Sequence, residues 1–447
     1  MQTKDDEIRI GEASFPKPFS NGLEFNAPVH GNWNIVHIGM QMPEAVQIYV
    51  CAKNCMRGVV LTAAEMNAAD RFSFVILNEE DMVRGKIDEV TADGVIDVIR
   101  KRLAAGMPAK AVIVFPVCVH HFLGTDLGNI YNKLEQAFPN IDFYRAYMDP
   151  IMQKKGYTPD QKLRRAMLAH LKDGAPDART ASILGNNFRL EDDSDITRIL
   201  KANGYELRQA QDCRTYEEFL QLGKSELFLC VSPPALMGAK EAAGRRGRPF
   251  LYLPSSFDLS EIKAQRNALL DALGEGAVLP AELAADDGAL SADLAALAGK
   301  IGNTEVTIDY MVHPRPLGLA LLLAECGINV SKVFLDAVST EEEKAFSRLQ
   351  EIRPDLLLSA TIHVRKRTYV SGGRSFSPSG AGRILAAGPK AAYFSDTPYF
   401  VNMVEGFGLQ GISGIRKMIA LLSEAFEEEK DTRDLVPRKG LGCESCL

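Results

Sequence analysis

Short apolar runs alternate along this chain with longer stretches in which apolar residues recur every three or four positions. In the first third, apolar runs at 71–77, 111–115 and 141–146 alternate with helical patterns at 95–103 and 128–137. Runs of this kind, separated by helices, are typical of parallel strands that are buried on both faces of a sheet. We therefore predict a parallel sheet with crossover helices in this part of the chain.

The same alternation restarts near residues 180 and 303. Further strands are predicted at 180–184, 205–209, 227–231, 249–253, 306–311, 332–335, 356–359 and 391–394, with helices at 195–202, 216–222, 317–325 and 340–352. Three such blocks predict an α/β fold of three doubly wound parallel-sheet (Rossmann-like) domains with right-handed crossovers. We place the domains at 1–175, 176–300 and 301–447, with the Ala/Asp-rich stretch 281–288 as a connector.

The composition is that of a folded globular protein, and it narrows the choice of partners. Of the 447 residues, 46% are hydrophobic and 24% are charged, and the formal net charge is −7. Such an acidic chain, with a pI of about 5.7, is a poor match for nucleic acid or for an anionic membrane surface. No apolar stretch approaches the roughly 18 residues that a membrane helix needs, and the polar first residues do not resemble a secretory signal. We expect a cytoplasmic protein.

Three cysteines in the first part of the chain are candidate metal ligands. Cys51 and Cys55 lie four residues apart, and Cys118 ends the apolar run that begins at Ala111. In a reducing cytoplasm, thiols are poor disulfide candidates and good ligands for soft metals. If these three meet in space, an iron–sulfur cluster is the expected guest. The alternative is that Cys51 and Cys55 share one face of a helix as two buried structural thiols.

Three further residues follow predicted strands, where ligands bind in open parallel sheets. Cys230 closes the strand at 227–231, and His313 and Arg315 follow the strand at 306–311. If the strand ends of the three domains converge, these residues line a pocket between the domains. Cys443 and Cys446 form a Cys-x-x-Cys pair at the end of the sequence whose role the sequence leaves open.

The whole chain resembles the nitrogenase component 1 family, the catalytic component of nitrogenases and of their reductase relatives. The resemblance rests on short segments in matching order: His37-Ile38-Gly39 before Cys51 and Cys55, Glu79-Glu80-Asp81, Cys118 with Leu123-Gly124-Thr125-Asp126, Leu184-Gly185-Asn186, His313-Pro314-Arg315, Pro354-Asp355-Leu356, Thr397-Pro398-Tyr399 and Glu405-Gly406-Phe407.

The resemblance implies a two-component, oxygen-sensitive reductase. A separate ATP-hydrolysing iron–sulfur reductase protein docks and delivers electrons to an iron–sulfur cluster, 4Fe–4S or larger, at the subunit interface. Cys51, Cys55 and Cys118 are the implied cluster ligands, with the Cys51/Cys55 pair replacing a first cluster cysteine that the family has further upstream and this chain lacks. The implied assembly is a homodimer or an α2β2 complex with a related subunit. The chain itself lacks the Gly-x-x-x-x-Gly-Lys-Ser/Thr loop of P-loop ATPases.

This sequence departs from the family pattern at the catalytic metallocluster. Cys230 lies near the position of its cysteine ligand, but Ala391-Ala392-Tyr393-Phe394 stands where the histidine ligand is expected. The departure argues against dinitrogen reduction and implies a nitrogenase-like member. Either a second metallocluster binds near Cys230, or the pocket takes an organic substrate directly, as in relatives that reduce tetrapyrroles or small thioethers. His313 and Arg315 are then the candidate catalytic residues.

Two other classes of function stay open. In the first, the chain is a scaffold on which a metallocluster is assembled for another protein, and it binds a cluster precursor without turnover. In the second, the chain is a metal-free α/β binding protein or sugar-nucleotide enzyme whose thiols are incidental. Replacing Cys118 would then leave its absorption spectrum and its ligand binding unchanged.

Overall fold

The computed structural model of this protein describes residues 6–19, 35–148, 156–368 and 382–432. Its strands are β1 (Glu7–Arg9), β2 (Ala45–Cys51), β3 (Phe72–Ile76), β4 (Ala111–Pro116), β5 (Asp142–Arg145), β6 (Asp177–Ile183), β7 (Glu206–Gln209), β8 (Ser225–Cys230), β9 (Phe250–Tyr252), β10 (Glu305–Asp309), β11 (Val330–Phe334), β12 (Leu357–Ser359), β13 (Ile384–Ala387) and β14 (Phe400–Val401).

The helices that the structure describes are α1 (Ile35–Met40), α2 (Arg57–Glu65), α3 (Glu79–Val83), α4 (Ile87–Ala104), α5 (Cys118–Phe122), α6 (Leu127–Ala137), α7 (Pro159–Ala169), α8 (Asp195–Ala202), α9 (Tyr216–Gln221), α10 (Leu236–Arg246), α11 (Leu259–Leu273), α12 (Ala281–Ile301), α13 (Pro316–Glu325), α14 (Glu343–Ile352), α15 (Pro389–Ser395) and α16 (Gly411–Glu427). None of these described helices is long and apolar enough to cross a bilayer.

The chain divides into two compact units. Unit 1 comprises the described residues within Met1–Asn32, Leu190–Asn203 and Ser255–Leu447, and unit 2 comprises those within Trp33–Arg189 and Gly204–Pro254. The predicted domain boundaries at 175 and 300 stay predictions.

Unit 2 contains two four-stranded sheets in which every described pair of strands is parallel. The strand orders are β3-β2-β4-β5 and β7-β6-β8-β9. Every residue of the central strand β2 is buried. Successive side chains of a strand point to opposite faces, so Ile48 and Val50 pack in one hydrophobic core while Tyr49 and Cys51 pack in another. Because β2 is covered on both faces, all of its residues except Gln47 are apolar.

Unit 1 is built on a six-stranded sheet of order β1-β12-β11-β10-β13-β14. Strands β10 to β14 pair in parallel, and β1 adds an antiparallel edge strand beside β12. The predicted α/β fold with doubly wound parallel sheets is confirmed. The sequence analysis missed β1, β2, β13 and β14. With three and two residues, β1 and β14 are too short to show an alternating pattern.

Two of the element predictions are wrong. The predicted strand at 391–394 lies inside the helix α15, because Gly388 has a φ of 114° and Pro389 occupies the first helical position, where proline is well tolerated. The predicted connector at 281–288 lies inside the 21-residue helix α12. Apolar residues spaced by three, four or seven positions bury one face of that helix, namely Leu283, Leu290, Leu294, Leu297 and Ile301.

Candidate functional site

Cys51 and Cys118 lie at the same edge of the first sheet of unit 2. Cys51 is the last residue of β2, and its neighbour Val50 pairs with Pro116, the last residue of β4. Cys118 follows two residues later, as the first residue of α5. Because β2 and β4 are adjacent and parallel, both chains leave the sheet at its carboxyl edge, which is where ligands bind in such sheets.

Cys55 follows Cys51 in a short 3-10 turn, Lys53–Cys55, where its backbone N–H donates to the carbonyl of Ala52 at 2.9 Å. The alternative in which Cys51 and Cys55 share one face of a helix is therefore wrong, since Cys51 belongs to a strand. The β-branched and aromatic residues of Ala45–Cys51 favour the strand over a helix.

The three thiols differ in exposure. Cys51 is fully buried, Cys118 is half-buried and Cys55 is exposed. Burial, together with the nearby thiol of Cys55, raises the pKa of Cys51 to about 12. The Cys118 Sγ donates weakly to the carbonyl of Met148 at 3.8 Å. Without a metal, Cys51 keeps its proton at neutral pH, so a bound metal ion must displace that proton.

His120 lies two residues after Cys118, and both of its ring nitrogens have hydrogen-bond partners. Its Nδ1 lies 3.1 Å from the backbone nitrogen and 3.3 Å from the carbonyl oxygen of Val117, and its Nε2 lies 3.1 Å from Thr91 Oγ1. Burial lowers the pKa of His120, which keeps the ring neutral.

Cys230 occupies the corresponding edge of the second sheet of unit 2. It is the last residue of β8, pairs with Tyr252 of β9 and is fully buried. Its Sγ donates to the carbonyl of Ser232 at 3.3 Å. Cys230 and Cys51 contribute to the same hydrophobic core of unit 2.

The thiols fit an iron–sulfur cluster by donor type. Within residues 6–19, 35–148, 156–368 and 382–432, no group of three or more His, Cys, Asp or Glu side chains is arranged to hold a metal ion. A cluster held between two protomers takes ligands from both of them, which is the arrangement that the resemblance implies. Cys443 and Cys446 lie outside the described residues.

In unit 1, His313 is buried after β10 with both ring nitrogens bonded to the protein. The backbone N–H of Arg315 donates to Nδ1 at 3.0 Å, and Nε2 donates to Ser255 Oγ at 2.9 Å. The Ser255 hydroxyl in turn donates a hydrogen bond to the carbonyl oxygen of Leu409 at 3.3 Å. Burial and the charge of Arg315 lower the pKa of His313 to about 3, so the ring is neutral at pH 7.

Arg315 is held by two carboxylates beside that histidine. Its Nη1 contacts Glu261 at 2.7 Å and its Nη2 contacts Glu341 at 2.8 Å. Burial by itself lowers the pKa of Arg315, but the bonds to Glu261 and Glu341 outweigh it and raise the pKa overall. The catalytic roles of His313 and Arg315 stay predictions, since both side chains are bonded within the chain.

The structure also brings together four residues that the sequence analysis did not single out. Tyr310, Asp336, Thr361 and Lys390 follow the carboxyl ends of β10, β11, β12 and β13, which are neighbours in the sheet of unit 1. Their positions just after predicted strands were a signal for Asp336 and Thr361, whereas Tyr310 lay inside the predicted strand at 306–311. The wrong strand at 391–394 concealed Lys390, because it placed this residue before a strand instead of after one.

Comparison with known proteins agrees with this architecture. The family described as nitrogenase component 1 type oxidoreductase matches residues 36–367. A solved structure described as "Nitrogenase Cp1 at pH 6.5" superposes with a TM-score of 0.65 at 15% identity, covering 94% of this chain and 95% of that chain. Another, "Nitrogenase Cp1 at pH 5", gives a TM-score of 0.57 at 12% identity, with coverages of 94% and 93%. No curated protein matches the sequence. The family match spans most of the chain, and this protein therefore belongs to the nitrogenase component 1 type oxidoreductases.

Proposed function

We propose that this protein is the substrate-reducing component of a two-component, nitrogenase-like reductase. In this proposal, an ATP-hydrolysing iron–sulfur reductase delivers electrons to an iron–sulfur cluster bound by Cys51, Cys55 and Cys118, and the electrons reduce a small substrate. The observation that carries the proposal is that Cys51 ends strand β2, while Cys55 and Cys118 follow the carboxyl ends of the adjacent parallel strands β2 and β4.

The surroundings of the thiols support cluster binding. Tyr49 precedes Cys51 by two residues on the same face of β2, and its ring stacks on Phe115 at 4.3 Å and on Phe72 at 5.0 Å. Tyr49 and Phe115 are fully buried, so the sheet next to Cys51 is covered by aromatic rings. When bound there, an iron–sulfur cluster supplies one-electron transfer. The chain supplies the thiolates and an apolar surface beside them, and both influence the reduction potential of such a cluster.

We assign the other candidate residues within the same proposal. Cys230, buried at its own sheet edge, is proposed as a ligand of a second metallocluster. We propose that His313 and Arg315 hold in place the backbone that follows β10, on the side where the substrate binds. Their side chains are hydrogen-bonded to Ser255, Glu261 and Glu341, which favours a positioning role over proton transfer.

The proposal is tested by anaerobic purification of the full chain followed by iron and acid-labile sulfide analysis. We expect a brown protein, and Cys118→Ala should lose most of its iron because a cluster ligand is gone. Cys326→Ala is the matched control, since Cys326 lies at the end of α13 in unit 1, and it should keep its iron. A colourless wild type, or a Cys118→Ala variant with full iron content, would refute the cluster assignment.

Turnover is tested separately, with a reductase partner, ATP and dithionite. Three probes cover the substrate classes of the family: dinitrogen, dimethyl sulfide as a small thioether, and protochlorophyllide as a tetrapyrrole. We expect ATP-dependent dithionite oxidation with one of the last two. Iron-loaded protein that turns over none of the three would instead indicate an assembly scaffold.

A further inference from the structure

A chain of hydrogen-bonded side chains crosses the carboxyl edge of the sheet of unit 1. It runs from Asp336 through Thr361 and Lys390 to Tyr310, so that each member follows a different neighbouring strand. Residues gathered from several strand ends at this edge are typical of a ligand site in an α/β fold. No step assigned so far uses these four side chains.

The direction of the hydrogen bonds follows from Asp336. Its carboxylate accepts the backbone N–H groups of Thr361 at 2.7 Å and Ile362 at 3.1 Å, and it accepts the Thr361 hydroxyl at 2.5 Å. The Thr361 oxygen therefore accepts from Lys390 Nζ at 3.3 Å, and Lys390 also donates to the Tyr310 hydroxyl oxygen. Among the residues that the structure describes, none accepts the hydroxyl hydrogen of Tyr310. The chain thus ends in a donor that is available to a ligand.

Lys390 is unusual for a buried lysine. It is 6% exposed, and no carboxylate of the described residues lies within ion-pair range of its Nζ. Its Nζ lies 4.5 Å from the centre of the Tyr310 ring, and its charge acts on Asp309 only at longer range. Burying an ammonium without a paired anion is costly. A negative charge that forms on Tyr310 during a reaction would be stabilised by this ammonium.

We propose that Tyr310 is a proton donor to the substrate and that Lys390 is the positioning residue that orients Tyr310 and returns a proton to it. This inference rests on the proposed function, because the electrons must come from the iron–sulfur reductase partner. Reduction of a double bond X=Y to HX–YH takes up two electrons and two protons. A thioether takes up the same electrons and protons when its carbon–sulfur bond is cleaved to C–H and S–H.

The proton balance closes within this chain and water. The Tyr310 O–H bond breaks as the new bond to hydrogen forms on the substrate, which leaves a phenolate. The Lys390 ammonium then gives a proton to the phenolate, and the neutral amine regains a proton from water. A second passage through the same residues supplies the second proton. Asp336 keeps the Thr361 hydroxyl pointed away from Lys390 throughout, so the lysine donates only toward Thr361 and Tyr310.

The hydrogen-bonded pair is tested without any turnover, by fluorine NMR of protein in which 3-fluorotyrosine replaces the 12 tyrosines. The resonance that is missing from Tyr310→Phe identifies Tyr310. Lys390→Met should move that resonance because the donor to the hydroxyl oxygen is lost. Lys332→Met is the matched control, since Lys332 pairs with Glu7 on the same sheet, and it should leave the resonance in place. A resonance unmoved in Lys390→Met would overturn the proposal.

The donor role is tested with the three turnover probes. A positioned acid typically contributes 10²–10⁴-fold, so Tyr310→Phe should lower the rate by about 100-fold or more, while electron paramagnetic resonance still shows cluster reduction by the partner. Tyr399→Phe is the control, because the Tyr399 hydroxyl donates to Glu429, and it should keep its rate within about twofold. A Tyr310→Phe variant that turns over like wild type overturns the donor role and leaves the proposed function standing. A wild type that accepts no electrons refutes both.

Discussion

At the scale of single residues, the partners of a buried polar group indicate whether it holds the fold or is available for chemistry. His313 and Lys390 are both almost fully buried. His313 has both ring nitrogens bonded to the protein, whereas Lys390 donates to two hydroxyls and has no carboxylate in contact among the described residues. A satisfied buried group stabilises the fold, and a buried charge without a paired anion points to a ligand or a reaction. This contrast places the proton donor at Tyr310.

Gly388 provides a residue-scale prediction about the same edge. Its φ is 114°, and a Cβ at this position would lie 2.2 Å from Asp309 Oδ1. Asp309 accepts the backbone N–H of Ala391 at 2.7 Å and so fixes the start of α15, which carries Lys390. Gly388→Ala should therefore lower the free energy of unfolding by about 3 kcal/mol, from backbone strain together with the clash, as measured by chemical denaturation.

The control for that substitution is Gly299→Ala in α12. A Cβ at Gly299 meets no atom within 4 Å, and the backbone there is helical. Alanine should stabilise this position by about 0.5–1 kcal/mol. Equal effects of the two substitutions would contradict the predicted role of Gly388.

Candidate site residues could be predicted from the sequence where a local sequence pattern marked them. Cys118 and His313 were found because each follows an apolar run, and parallel strands end at one edge. Cys51 was found by its spacing of four residues from Cys55. The Tyr310–Lys390 pair was not found, because its two members are 80 residues apart and the chain alone does not show which strands are neighbours. The burial of Lys390, which makes this pair a candidate for chemistry, can be seen only in the folded chain.

At the scale of elements, the amino end of α13 shows how the fold places a carboxyl group. Glu342 is 3% exposed, and its Oε1 accepts the backbone N–H of Gly318 at 2.9 Å in the first turn of α13. Burial raises the pKa of Glu342 to about 8, and the charge of Glu341 adds to this, whereas the helix N–H groups and Arg315 act in the opposite direction. Desolvation thus exceeds the stabilisation that a helix amino terminus offers to an anion.

This raised pKa predicts a pH-dependent stability. The unfolded carboxyl titrates near 4.3, so between about pH 5 and pH 8 the unfolded chain releases a proton that the folded chain keeps. Glu342 therefore contributes stability that is fully present below about pH 4 and is lost as the pH rises toward 8, with a slope of roughly 1.4 kcal/mol per pH unit.

The prediction is checked by chemical denaturation of wild type and Glu342→Gln at several pH values between 5 and 8. The glutamine keeps an oxygen for the Gly318 N–H and cannot ionise, so the variant should lack this component of the slope. The neighbouring Glu343 is exposed, and Glu343→Gln should keep the wild-type slope. Identical slopes in all three proteins would contradict the assignment.

Most of the described strands could be predicted from the sequence, but fewer than half of the helices, and the two wrong elements have a common cause. The apolar composition of 391–394 fits a strand, but the preceding Gly388-Pro389 starts a helix. The Ala- and Asp-rich composition of 281–288 fits a connector, but its leucines continue at helical spacing through Ile301. In both cases the residues outside the window decided the structure. Local composition therefore predicted less than the pattern over a whole element.

At the scale of the whole molecule, family membership gives the fold and the class of chemistry. In the part of the chain that the structure describes, the cysteines form no group of three ligands for a metal ion. Under the proposed function a second protomer supplies the remaining ligands, and metal binding that requires two chains couples to their association. We therefore expect that iron content and oligomeric state change together.

This coupling is the prediction that concerns the assembly, and it is checked by anaerobic analytical ultracentrifugation with iron analysis of each species. Iron-loaded protein should sediment as a dimer or larger, and removal of iron by a chelator should shift it toward the monomer, because the shared ligands no longer bridge the protomers. Cys118→Ala should behave like the chelated protein. Cys213→Ala is the control, since Cys213 donates to the carbonyl of Gln209 at 3.5 Å within its own unit, and it should keep both iron and assembly. Iron that sediments with a monomer would show that one chain completes the site, and the thiols would then have to gather within that chain.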